Sequence, residues 1–388
     1  MRKVYLDANA TTKVHPEVVK TMLPFFDQIY GNASSVHAFG RAAKKHLEES
    51  RAKVAALIKA DSSDEIVFTS GGTESDNLAI KGAAFALKSK GNHIITSSVE
   101  HLAVLNTCKY LEKQGFRVTY LGVDEYGIIN LDELKKSITT DTILITVMAA
   151  NNETGTIMPV EEIGGIAKEK GITFHTDAVQ YIGKGPFDVK KCGAHLVSIS
   201  AHKINGPKGV GALYIKKGQK LEPTQQGGHH EKGRRAGTEN VPGIVGLGKA
   251  CEIALKEGEQ NYAKIKNLKD KLFKRITSEI KQTKLNGHPE KCLPNTLNVS
   301  FNYLEGESII LSLDLEGIAV STGSACTSGS LEPSHVLKSM GVDPLFAQGS
   351  VRFSLQIFNT DEDIDYVMEK LPPIIERLRK MSPVYKEE

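Results

Sequence analysis

The chain has 388 residues, 40% hydrophobic and 24% charged, with a formal net charge of +3. That length supports a large core and more than one domain, and a charge this small, with Lys and Arg interleaved among Asp and Glu, gives no case for nucleic acid as a partner. The five cysteines, at 108, 192, 251, 292 and 326, form no C-x-x-C pair and are odd in number, so neither a disulfide framework nor a cysteine metal site is expected and a reducing, cytoplasmic setting is.

In chain order, Val4-Tyr5-Leu6 reads as a short strand, and the polar loop Asp7–Thr12 after it suits either a ligand-facing lining or a plain connection. Pro16 to Phe26 reads as a helix and Gly31–Ser35 as a loop. Gly40 to Ile58 reads as an amphipathic helix on Ala43, Leu47, Val54 and Leu57. A strand over Glu65–Thr69 then enters Ser70-Gly71-Gly72-Thr73, and a helix follows. That order leaves backbone N–H groups and the positive end of a helix dipole at Gly72 and Thr73, a phosphate cup without the lysine of a nucleotide P-loop.

The alternation continues with strands at His93–Thr96, Arg117–Leu121, Thr142–Met148 and Thr173–Thr176 and helices ending at Leu111, Ser137 and Lys170. Leu196–Ile199 is a further strand. It delivers Ser200, His202 and Lys203 to a turn at Asn205-Gly206-Pro207. Repeated strand–helix alternation predicts an α/β fold with a mainly parallel sheet, whose ligands sit beyond the carboxyl ends of the strands. Gly72, His101, Asn152, Asp177 and Lys203 all follow strands, so one site is expected to collect them. Gly227–Thr238, rich in glycine and basic residues, is expected to form no regular element. It reads as a surface loop or a second phosphate contact. Val241 to Gln282 reads as a long helical region with a break near Gly258, bridging to a second domain. There, strands are expected at Thr296–Phe301 and Val351–Ser354, and helices at Ser308–Leu315, Pro333–Met340 and Asp361–Lys380.

Lys203, held where a strand meets a turn, suits a Schiff-base amine. A phosphate cup together with such a lysine points to pyridoxal 5'-phosphate (PLP), which also needs an acid at its pyridine nitrogen. Asp177 is the candidate acid, Gln180 a hydrogen-bonding partner for the phenolic oxygen, and His101 a ring to stack and move protons. Ser321–Ser330 surrounds Cys326 with small and hydroxylated residues, the composition of an exposed loop able to carry a thiol to a substrate. Arg352 can hold a substrate carboxylate through paired hydrogen bonds.

Taken together, Tyr5–Thr12, Thr69–Asn77, Asn151-Asn152-Glu153, Asp177–Gln180, Ser200–Lys203 and Gly323–Cys326 resemble the cysteine desulfurases of the NifS/IscS type, within the fold-type I PLP enzymes. The resemblance implies a PLP-dependent transferase fold, with residues 13–258 as the large PLP-binding domain. Residues 1–12 and 259–388 would form a smaller α+β domain carrying the Cys326 loop. It implies that Lys203 bonds PLP covalently, that Gly72, Thr73, Ser200 and His202 hold the phosphate, and that Asp177, Gln180, His101 and Asn152 tend the ring and substrate. Thr238 matches a residue that reaches the phosphate from a neighbouring subunit, implying a homodimer. The implied reaction converts L-cysteine to L-alanine with a persulfide on Cys326. The sulfur then goes to an iron–sulfur scaffold or another acceptor protein, with no metal, nucleic acid or membrane involved. The rivals are selenocysteine lyase or another fold-type I reaction, and a non-catalytic scaffold that has kept the fold. Gln356-Ile357 departs from the family, which often has a small residue and then Arg there.

Overall fold

The computed structural model describes residues 2–322, 334–383 and 385. Cys326, with most of the small-residue segment around it, lies outside the described residues.

Strand β1 (Val4–Tyr5) starts the chain, away from the main sheet. That sheet has seven strands: β2 (Ile66–Thr69), β3 (His93–Ser97), β4 (Arg117–Leu121), β5 (Thr142–Thr146), β6 (Thr173–Asp177), β7 (Leu196–Ser200) and β8 (Gly211–Ile215). Their order is β2-β8-β7-β6-β5-β3-β4. All neighbours are parallel except β8, which runs antiparallel to both β2 and β7. β3, β5, β6, β7 and β8 are buried along their whole length, as strands of a sheet covered on both faces are, although β3 and β6 carry several polar residues. The sequence reading omitted β8. Its hairpin return from β7 brings Gly211 against Gly71, where a Cβ on Gly211 would lie 2.7 Å from the Gly71 Cα. Only glycine permits that approach, and it seats the turn after β2 against the end of β7.

A second sheet orders β9 (Thr283–Asn286), β10 (Thr296–Phe301) and β12 (Ser350–Ser354) as β12-β10-β9, all antiparallel, while β11 (Ile318–Ala319) pairs in parallel with β1. Its core gathers Val4 and Leu6 with Leu297, Val299, Phe353 and the apolar face of the Asp361–Met381 helix. The N-terminal strand thus packs with the C-terminal elements.

One expectation is corrected. The helix from Val241 to Glu279 is continuous, with no break at Gly258. An isolated glycine costs a helix only about 1 kcal/mol relative to Ala, and here Val245 and Leu247 pack into the large core while Leu268 and Leu272 pack into the small one. The segment Gly227–Thr238 forms no regular element, as expected: its turn at His230–Gly233 has left-handed backbone at Glu231 and Lys232. It is tied down by Glu231, whose carboxylate accepts from both Nη atoms of Arg51, at 2.6 and 2.9 Å, and from Phe68 N at 2.9 Å. A buried bidentate pair of this kind offsets the entropy of ordering a glycine-rich loop.

Candidate active site

One cavity of about 400 Å³ opens at the carboxyl ends of the parallel strands. Ten of the twelve residues singled out from sequence line it: Gly72, Thr73, His101, Asn152, Asp177, Gln180, Ser200, His202, Lys203 and Arg352. Thr238 is exposed and is not among the lining residues, and Cys326 lies outside the described residues.

One set of these groups suits a phosphate. β2 ends at Thr69, and the helix Gly72–Leu87 begins after Gly71, so the Gly72 and Thr73 N–H groups have no intrahelical partner. Ser200 Oγ is buried and without a hydrogen-bond partner. A buried hydroxyl left orphaned beside a helix N-terminus fits an anionic ligand that the site is built to hold. His202 contacts Thr11 Oγ1 through Nδ1 at 3.1 Å, and burial, reinforced by Lys203, pushes its pKa down to about 4.

A second set suits a ring nitrogen. Asp177, closing β6, accepts from Val179 N at 2.9 Å. Burial pushes its carboxyl up from the ordinary range, against the pull of His101, the Val179 N–H and Lys203. A pyridinium at this carboxylate would restore its charge, because an adjacent cation favours the ionised form. His101 caps the Leu102–Glu112 helix, its Nδ1 accepting from Ala103 N at 3.1 Å. That bond leaves the proton of the neutral ring on Nε2, and burial keeps the ring neutral by pushing its pKa down.

Behind Asp177 lie groups that sequence reasoning did not single out. Asp76 also lines the cavity, and burial, then Asp177, raises its carboxyl. His175, held between Thr146 Oγ1 at 2.8 Å and Ser198 Oγ at 3.0 Å, is driven down to about 3 by burial alone. Glu100 accepts from Ser97 Oγ at 2.6 Å and Met148 N at 2.9 Å through Oε1, while its buried Oε2 has no partner. Burial raises Glu100 to about 8. Its folded pKa therefore exceeds its unfolded one, so its contribution to stability is complete below the unfolded value and is lost as pH rises through about 8. Glu100→Gln keeps the accepting oxygen and removes the titration. Wild-type stability is expected to fall relative to Glu100→Gln between about pH 5 and 8, by a few kcal/mol. Denaturant melts at several pH values check this, and parallel curves for the two proteins would contradict it.

The third set surrounds Lys203. A 3-10 turn over Ala201–Lys203 follows β7 and is clamped by the N-terminal loop, with Thr12 donating from N at 3.0 Å and from Oγ1 at 2.9 Å to the His202 carbonyl. Lys203 Nζ donates to the Asn9 carbonyl and, at 2.9 Å, to that of Ala10. Asn9 is the hub that sequence reasoning missed. Its carbonyl also accepts from Gln180 Nε2 at 3.0 Å, and its side chain donates to Asn152 O at 3.1 Å and Thr296 Oγ1 at 2.8 Å. Its place in the polar loop Asp7–Thr12 was the available signal. Arg352 is buried, with Nη1 on Asn152 O at 2.9 Å and Nη2 on Asp7 Oδ1 at 2.8 Å. A substrate carboxylate would meet a guanidinium already oriented by those two contacts.

The residues flanking the undescribed segment are fixed at the same place. Ser321 pairs with Arg352 through backbone bonds in both directions. Ser334 Oγ donates to Glu153 Oε2, and the His335 ring bonds the Glu100 carbonyl at 3.0 Å. The four described cysteines are free thiols. Cys108, Cys192 and Cys251 are buried, and burial raises each to about 12. Cys292 is half-buried, with Lys269 Nζ 3.3 Å from its sulfur.

A model of the aminotransferase class-V family matches residues 4–367. The chain is 54% identical over 387 residues to a cysteine desulfurase IscS of Dictyoglomus turgidum, covering 100% of this chain and 98% of that one. It is 55% identical over 383 residues to a cysteine desulfurase IscS of Methanosarcina thermophila, covering 99% and 94%. Among solved structures, a NifS-like protein superposes with a TM-score of 0.92 at 43% identity, covering 97% of this chain and 100% of that one. A NifS-like protein from Rickettsia africae superposes at 0.87 with 33% identity, over 97% and 100%.

Proposed function

The chain belongs to the aminotransferase class-V family, and from that premise we propose how its residues share out the reaction. The enzyme is a PLP-dependent cysteine desulfurase. PLP, when bound, supplies the electron sink that lets bonds at the substrate Cα and Cβ break. The Gly72 and Thr73 N–H groups, Ser200 and His202 hold its phosphate. Asp177 keeps a proton on its pyridine nitrogen, and Gln180 donates to its phenolic oxygen. His101, with Nδ1 bonded to Ala103 N, would present an Nε2 proton on the side where the ring would sit. Lys203 would hold the cofactor covalently through Nζ and, when its amine is free, would take the Cα proton. The Asn9 and Ala10 carbonyls orient Nζ. Arg352 receives the substrate carboxylate beside Asn152.

The Cys326 thiolate attacks the sulfur of L-cysteine. A sulfur–sulfur bond forms, the carbon–sulfur bond breaks, and Cβ gains the proton that completes L-alanine. The balance is L-cysteine plus the Cys326 thiol giving L-alanine plus the Cys326 persulfide, with no outside oxidant or reductant. An acceptor protein, such as an iron–sulfur scaffold, then takes the sulfur. Support for Cys326 comes from its flanks, where Ser321 is paired with Arg352 and Ser334 with Glu153, next to the cavity-lining Asn152.

The observation that carries the site assignment is the unpartnered Ser200 Oγ sharing one cavity with Asp177 and Lys203. The test is product analysis. Under reductant the enzyme is expected to release alanine and sulfide from L-cysteine in equal amounts. Turnover of L-selenocysteine with none of L-cysteine would favour the lyase reading.

The enzyme acts as a homodimer in the cytoplasm on this reading. Exposed Thr238, outside its own chain's cavity, and the exposed rings of Tyr30 and Phe39, 5.7 Å apart, support a second copy. A monomer in sedimentation at working concentration would contradict it. Among the described residues no helix is long and apolar enough to cross a membrane.

A further inference from the structure

Lys184 has no part in the reaction outlined above. Its Nζ donates to Gln180 Oε1 at 2.7 Å and to Asn9 Oδ1 at 3.3 Å. Burial, reinforced by the nearby cations Lys203 and Arg352, pushes its pKa well below the ordinary lysine range. A half-buried amine with two cations nearby and bonded to two neutral amides is not placed there to pair charges.

Its effect falls on Gln180. A side-chain amide has one accepting and one donating end, and its partners decide which end points where. Lys184 Nζ donates to Oε1 and the Asn9 carbonyl, which can only accept, takes Nε2, so together they commit Gln180 Oε1 to Lys184. Nε2 is then the end left for the cavity. It gives one N–H to the Asn9 carbonyl at 3.0 Å and carries a second. Gln180 lines the large cavity, whereas Lys184 lines a separate one of about 60 Å³ whose wall also includes Lys203. Lys184 therefore contacts Gln180 from outside the reaction space.

We propose that Lys184 is a positioning residue that fixes Gln180 as a hydrogen-bond donor to the phenolic oxygen of PLP, which rests on the assignment of Gln180 above. Without Lys184 the Asn9 carbonyl alone orders the amide, and in the turned form an accepting oxygen would face an anionic one.

The readout is the pH titration of the visible absorbance of the PLP-loaded enzyme, which reports the proton on the Lys203–PLP linkage. A donor at the phenolic oxygen favours the deprotonated form, because that oxygen then carries its charge without sharing a neighbouring N–H. Gln180→Leu is expected to raise the midpoint by about one pH unit. Lys184→Met is expected to raise it comparably, and Lys184→Gln, which keeps an N–H donor, to restore most of the wild-type value. In a double-mutant cycle, Lys184→Met should add little in the Gln180→Leu background. Lys184→Ala carries the same cycle should the Met variant not fold. An equal Lys184 effect in both backgrounds would mean that it acts by charge alone and would overturn the proposal. So would a shift in Gln180→Leu with none in any Lys184 variant. A wild-type midpoint in Gln180→Leu would overturn the placement of Gln180 at the cofactor, and this proposal with it.

Discussion

Lys203→Ala is expected to lose turnover of L-cysteine by at least about 10³-fold, since it removes both the covalent attachment and the base at Cα. Lys203 Nζ lies in the large cavity with Asp177 and Ser200, and the Asn9 and Ala10 carbonyls accept from it. Lys184 is absent from that cavity's lining, and its Nζ is engaged with Gln180 and Asn9. No other lysine lines the large cavity among the described residues, so none can substitute. The fold should survive, because the turn at Ala201–Lys203 is held by Thr12 through the His202 carbonyl rather than by the lysine side chain. PLP should still bind through the phosphate contacts, but borohydride should no longer fix it. A pyridoxyl adduct on Lys184 or Lys208 of the wild type, with none on Lys203, would overturn the assignment.

Cys326→Ser is expected to stop sulfur transfer while leaving the cofactor half of the reaction intact. Lys203 and Asp177 do not depend on the thiol, so the variant should stay yellow and change its spectrum when L-cysteine is added. A serine hydroxyl is nearly isosteric but stays un-ionised near neutral pH and has little affinity for divalent sulfur. Neither alanine nor sulfide should accumulate under reductant, a loss of at least about 10³-fold for removing an activated nucleophile. The buried thiols cannot take over: Cys108, Cys192 and Cys251 are held protonated, each raised to about 12 by burial. Near-normal alanine release by the variant would move the enzyme to the lyase class. The same result with L-selenocysteine alone would not, because selenium leaves more readily.

Much of this site is legible in the sequence because a parallel sheet projects ligand groups from strand ends. The periodicity predicts β4 and the helix Leu131–Ser137 with the bounds the structure has, and it brings Gly72, His101, Asn152, Asp177 and Lys203 to one sheet edge. What is not legible depends on contacts far apart in the chain. Asn9 serves Lys203, Asn152 and Thr296 only because the N-terminal loop folds back between the two sheets. Asp76 carries no signal beyond its helical spacing from Gly72, and Lys184 none, since its role exists only against Gln180 and Asn9. β8 was missed because a five-residue apolar run opening on glycine reads equally as a core loop. The expected break at Gly258 overstated one glycine in a helix packed at both ends.

The central claim is that sulfur leaves the substrate for Cys326. The direct measurement is peptide mapping by mass spectrometry after brief exposure of the wild-type enzyme to L-cysteine without reductant, with persulfides trapped by alkylation. The account predicts one extra sulfur on the peptide holding Cys326 and none on those holding Cys108, Cys192, Cys251 or Cys292. Alanine formed in full yield with no sulfur on Cys326, or with the extra sulfur on half-buried Cys292 instead, would contradict it.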